Sequence, residues 1–114
     1  MTDTVTIYHN PRCSKSRQTL ELLQSKGVQP HVVEYLKTPP SAAELTDILA
    51  KLGKQPAEIL RAKEAAEAGV SKDLPANKLI EAMAANPAVI ERPIVVKGAK
   101  ARLGRPPEQV LEIL

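Results

Sequence analysis

The chain of 114 residues carries 16 Lys and Arg against 13 Asp and Glu, a formal net charge of +3. That length suits a single domain spanning residues 1–114. No run of five or more basic residues occurs and both aromatics are Tyr, which argues against a nucleic-acid surface. One cysteine excludes an internal disulfide and any multi-cysteine zinc site.

Hydrophobic residues make up 43% of the chain, enough for a core, and aromatics only 2%, so that core must be aliphatic, built of Leu, Ile, Val and Ala. The opening Met1 to Thr6 lacks the basic segment and apolar run of a signal peptide. No apolar stretch approaches the ~20 residues that span a bilayer. A reducing cytoplasm is the expected compartment, and a free thiol persists there.

Thr4 to Tyr8 alternates polar and apolar residues, a strand pattern that Asn10-Pro11 ends. A helix is predicted from about Ser14 to Lys26, with Leu20 and Leu23 on one face and Gly27 at the C-terminal cap position. His31 to Leu36 reads as a second strand. Strand, helix, strand at this spacing predicts a βαβ unit with parallel strands. Ser41 and Glu44 form a capping-box pattern that opens a helix, in which Leu45, Ile48, Leu49 and Leu52 recur at i, i+3, i+4, i+7. Gly53 is its expected stop, a short helix follows Pro56, and Lys63 to Gly69 is compatible with helix or loop. A further helix is predicted over Ala76 to Ala85, with Leu79, Ile80 and Met83 on one side and Asn86-Pro87 closing it. Pro93 to Val96 reads as a buried strand, Gly98 as a turn, and Ala101 to Leu103 as the second arm of a hairpin. Pro106-Pro107 opens a last helix containing Val110, Leu111 and Leu114.

The order β-α-β, a helical block, then β-β-α predicts an α/β, thioredoxin/glutaredoxin-like fold with a four-stranded mixed sheet. In such folds a cysteine sits just after the first strand, at the start of the first helix. Cys13 occupies that place. A thiol attacks as its thiolate, and helix N-termini and nearby cations favour the anion. Arg12, Lys15 and Arg17 lie close in sequence, and His9 is four residues upstream. His9 is compatible with donating to the sulfur or with satisfying a turn through backbone. Arg17, one helical turn beyond Cys13, is a candidate anion ligand.

A single thiol cannot close an internal disulfide, so two-electron reduction needs an external thiol, and mixed-disulfide exchange makes glutathione and a glutaredoxin natural partners. A Cys-x-x-Cys dithiol would need cysteine at Ser16, and the tyrosine-phosphatase loop would need arginine at Thr19.

Four segments then stand in order: His9, Cys13 and Arg17 as His-x3-Cys-x3-Arg; Leu60-Arg61; Arg92-Pro93-Ile94-Val95-Val96; and Arg102-Leu103-Gly104-Arg105-Pro106. These resemble the glutaredoxin-dependent (ArsC-like) arsenate reductases, and within that family its shorter relatives, over nearly the whole chain. The resemblance implies that Cys13 is the nucleophile on arsenic. It implies that Arg61, Arg92 and Arg105 bind the oxyanion, and that the bond before Pro93 is cis, as an X–Pro bond permits. Planar arginine forks suit tetrahedral oxyanions. The implied reaction is attack of the Cys13 thiolate on arsenate, attack by glutathione, reduction to the trivalent state and release of arsenite by glutaredoxin. Thiolate suits soft arsenic. No metal and no tightly bound cofactor are implied, glutathione being a co-substrate; no nucleic-acid or membrane partner is expected, and a monomer is.

The chain ends at Leu114, where the best-known family members carry a further tail, and Lys15 stands where some have a small uncharged residue. Two other readings use the same fold: a redox regulator that binds RNA polymerase, often through the Cys-x-x-Cys that Ser16 removes here, and a general thiol-transfer enzyme.

Overall fold

Strand β1, Val5–His9, turns Val5, Ile7 and His9 to its buried side. The alternation seen from Thr4 onward therefore runs one residue further than expected and sets His9 on the core face. The structure, a computed structural model, describes residues 4–114; Met1 to Asp3, part of the segment read for a signal peptide, lie outside the described residues.

Helix α1, Ser14–Ser25, ends at Lys26, and Gly27 leaves it at φ 79°. That left-handed backbone is open to glycine at no steric cost. Strand β2, His31–Glu34, runs parallel to β1 with His9 opposite Glu34. Tyr35 and Leu36, expected within this strand, lie beyond it, because the Lys37 and Thr38 N–H groups both donate to the Glu34 carbonyl and close a turn. Strand β3, Ile94–Lys97, pairs antiparallel with β1, and β4, Lys100–Leu103, pairs antiparallel with β3. The sheet order is β2-β1-β3-β4, four strands and mixed.

The last predicted helix forms as a 3-10 helix, Pro107–Ile113. Residues three apart eclipse in that geometry. Pro107, Val110 and Ile113 therefore line the buried face, and Leu114 is 38% exposed. Val5, Ile7, Leu23, Val95, Val110 and Ile113 form one aliphatic cluster, with Leu20, Leu22 and Val28 packed against it. Each fully buried side chain of this kind stabilises by about 1.5–3 kcal/mol relative to exposure.

The chain resolves into two compact units: the described residues up to Thr38 with Arg92–Leu114, and Pro39–Glu91. The second is helical. Helix α2, Ala42–Leu52, has both bonds of the Ser41–Glu44 capping box and stops at Gly53 in the left-handed region. A 3-10 turn covers Pro56–Ile59. The segment compatible with helix or loop is helix α3, Ala62–Ala68, ended by Gly69. Helix α4, Ala76–Ala85, buries Leu79 and Met83 but leaves Ile80 only partly covered. It packs against α2, whose Leu45, Ile48 and Leu49 are buried. A 3-10 turn, Pro87–Val89, leads to an antiparallel bridge between Leu60 and Ile90. The architecture is α/β and thioredoxin-like, with the helical block placed in sequence between β2 and β3.

Candidate active site

The site starts from the turn after β1. Asn10 Oδ1 accepts the Arg12 N–H at 3.0 Å, and the Cys13 N–H donates to the Asn10 carbonyl at 3.0 Å. This Asx turn reverses the chain and delivers Cys13 to the N-cap of α1. Cys13 is a partly buried free thiol. Its backbone is extended, with φ −91° and ψ 123°, as an N-cap requires.

Partial burial pushes the Cys13 thiol up, but three groups outweigh it: the Ser16 N–H, the Arg92 side chain acting as donor and as charge, and the Lys15 N–H. The thiol is held below its ordinary pKa. The two N–H groups are among the unpaired donors of the first helical turn, which favour negative charge. Arg105 Nη2 lies 3.9 Å from Cys13 Sγ, and its Nε donates to the Arg92 carbonyl at 2.8 Å. Arg92 Nε is buried without a hydrogen-bond partner among the described residues. The Arg92–Pro93 bond is cis, and so is Arg105–Pro106, which the sequence reading did not anticipate.

His9 is buried, and its Nδ1 lies 2.6 Å from Ser16 Oγ. Ser16 Oγ also accepts the Asn10 N–H at 3.0 Å. Burial pushes the His9 pKa down, Glu34 opposes this and Arg17 adds to it. His9 thus favours the neutral form and ties the end of β1 to the first turn of α1. Arg17 is exposed, and its Nη1 donates to the Pro11 carbonyl at 2.9 Å, closing the same loop from outside. Ser16 and Asn10 were missed as structural parts of this loop. Their signal was a serine three residues beyond the cysteine and the Asn-Pro turn.

Arg61 belongs to the helical unit and caps α3. Its Nε pairs with Glu64 at 2.5 Å and its Nη1 lies 3.8 Å from Glu91, while its N–H donates to the Val89 carbonyl. Among the described residues, no group of three or more His, Cys, Asp or Glu is arranged to hold a metal, and no helix is long and apolar enough to cross a membrane. The geometry around Cys13 sets a thiol of lowered pKa at a helix N-terminus, with the Arg92 and Arg105 side chains against the sulfur. Such a site can take a tetrahedral oxyanion and attack its central atom.

The ArsC family model matches residues 8–113. The uncharacterized protein YfgD of Escherichia coli (strain K12) is 55% identical, covering 100% of this chain and 99% of its own length. An arsenate reductase of Haemophilus influenzae is 47% identical over 96% of this chain and 98% of its own length. The solved structure of an arsenate reductase from Vibrio cholerae superposes with a TM-score of 0.90 at 49% identity, covering 100% of both chains. The chain belongs to the ArsC family.

Proposed function

We propose that this chain is an oxidoreductase that reduces arsenate to arsenite through the Cys13 thiolate, with glutathione and a glutaredoxin as electron donors. The observation that carries the reading is the free thiol of Cys13 at the α1 N-cap, its pKa lowered, with Arg105 Nη2 3.9 Å from the sulfur. An arsenate reductase that is 47% identical supports the substrate.

In this reading the oxyanion sits against the Arg92 and Arg105 guanidinium groups. The thiolate forms a sulfur–arsenic bond, and one arsenate oxygen leaves as water. Glutathione displaces a second arsenic-bound oxygen as water, and the glutaredoxin thiol then attacks the glutathione sulfur, breaking its bond to arsenic and forming a mixed disulfide. Two thiols are thereby oxidised to one disulfide and arsenic gains two electrons; water then cleaves the sulfur–arsenic bond, so that arsenite leaves with the Cys13 thiol restored. The external thiols follow from the cysteine count, since one thiol cannot supply both electrons. Arg61 is assigned to the oxyanion by the family motif, Arg17 and His9 to the support of the cysteine loop. The enzyme acts as a monomer in a reducing cytoplasm, with no tightly bound cofactor.

The test incubates the protein with arsenate, glutathione, glutaredoxin and a NADPH-coupled glutathione reductase and follows NADPH loss. Arsenate-dependent loss that Cys13→Ser abolishes is the expected result. No such loss from folded protein, with a working positive control, overturns the reading. Arg61→Ala is expected to weaken arsenate use; an unchanged rate removes Arg61 from the site.

A further inference from the structure

Gly104 is buried between α1 and the residue that follows Arg92. A Cβ built on it would stand 2.5 Å from Thr19 Oγ1, 2.7 Å from Pro93 Cγ and 3.1 Å from Thr19 Cγ2. Its backbone angle is not the left-handed one that favours glycine, so lack of space is what requires glycine here. Neither neighbour is the free end of a flexible chain. Thr19 is fully buried and its hydroxyl donates to the Lys15 carbonyl at 2.8 Å, while Pro93 is a rigid ring among the fully buried residues.

The same residue is hydrogen-bonded where it is closest: its N–H donates to the Pro93 carbonyl at 2.9 Å. The next residue is Arg105, whose Nε holds the Arg92 carbonyl and whose Nη2 faces Cys13 Sγ. Thr19 lies in the helix that Cys13 caps. Gly104 is therefore the point at which the segment carrying Arg105 touches both the helix of the thiol and the strand entry of Arg92. We infer that Gly104 is a positioning residue: the missing side chain lets this segment seat against Thr19 and Pro93, and that seating sets Arg105 and Arg92 against the Cys13 sulfur. A methyl group needs an outward shift of roughly 1 Å to reach ordinary contact distance, and displacements of that size at a reacting centre cost on the order of 100-fold in rate.

The inference rests on the reading of Cys13 as a nucleophile, but its test does not need arsenate. The full chain is prepared as Gly104→Ala, Thr19→Ala and the double variant, folding is followed by circular dichroism, and the rate of Cys13 alkylation by iodoacetamide is measured against pH. Gly104→Ala is expected to raise the pH at half-maximal alkylation and, in the coupled assay, to lower kcat about tenfold or more. The double variant, which removes the Thr19 part of the clash but leaves Pro93, is expected to recover part of both. A folded Gly104→Ala chain with the parent's alkylation profile overturns the inference. If Gly104→Ala does not fold, the double variant is compared with Thr19→Ala: a profile shifted upward supports positioning, and an identical profile overturns it. Failure of both Gly104 variants to fold, with Thr19→Ala folded, overturns it in favour of packing alone. If the parent shows no arsenate turnover while the alkylation shift is present, the proposed reaction fails and the positioning role of Gly104 stands.

Discussion

Arg105 reaches two targets at once: its Nε donates to the Arg92 main-chain carbonyl at 2.8 Å, and its Nη2 lies 3.9 Å from Cys13 Sγ. The first bond fixes the plane of the guanidinium, and the fixed plane aims the second. Lysine carries one point charge on a flexible stem and cannot fill both places. Arg105→Lys is therefore expected to retain charge but lose aim. Its arsenate turnover should fall about tenfold or more, and that of Arg105→Ala by about 100-fold, the usual scale for removing a donor that stabilises developing charge. Steady-state kcat and KM in the coupled assay check this; a lysine variant with the parent's kcat would show that charge alone suffices.

The lowered pKa of Cys13 has a defined sign in two measurements. Its alkylation rate should reach half its maximum at a lower pH than that of the same thiol in the urea-unfolded chain. For stability, the folded chain binds fewer protons than the unfolded chain between the two pKa values. The stabilising contribution is fully present above the unfolded thiol pKa and is lost as pH falls through the folded one. Urea unfolding of the parent against Cys13→Ser, repeated across this interval, should show the parent losing its relative advantage as pH falls.

Ser16 Oγ is shared by His9 Nδ1 at 2.6 Å and the Asn10 N–H at 3.0 Å, all three residues being buried. Removing the hydroxyl leaves two buried polar groups without it, and each such loss costs about 1–3 kcal/mol. Ser16→Ala is expected to lower unfolding stability by at least that amount. The midpoint of a urea titration measures it, and a loss below about 0.5 kcal/mol would mean that water replaces the hydroxyl.

The main elements around this site were legible because each had a local cause. Asn10-Pro11 ends β1, and the Ser41–Glu44 box starts α2 with both of its bonds in place. Gly53 and Gly69 stop helices in left-handed conformations. Less legible were features decided by which of several nearby hydrogen-bond partners a group takes. The end of β2 at Glu34 depends on which carbonyl the Lys37 and Thr38 N–H groups choose. The last helix takes 3-10 geometry, which sets Pro107, Val110 and Ile113 on its inward face. The cysteine's place followed from strand and helix order alone. The role of Ser16 did not, because its partners His9 and Asn10 come from the preceding strand and turn, and their approach is a property of the folded loop.

His9 gives the loop an acid limit. Its pKa lies below the ordinary 6.5, first because the ring is buried, with Arg17 adding to the shift and Glu34 opposing it. A base with a depressed folded pKa is protonated more readily in the unfolded chain. The folded state is therefore favoured fully above the unfolded His value and loses that advantage as pH falls through the lower, folded one. The ring tethers Ser16, so charging it disturbs the turn that carries Cys13. The His9 ring proton resonances, followed by NMR, should titrate with a midpoint below 6.5, and unfolding stability should decline across the same interval. His9→Gln, which keeps a hydrogen-bonding side chain but cannot take up this proton, should flatten that decline. A His9 midpoint at or above 6.5 would show that Glu34 outweighs burial.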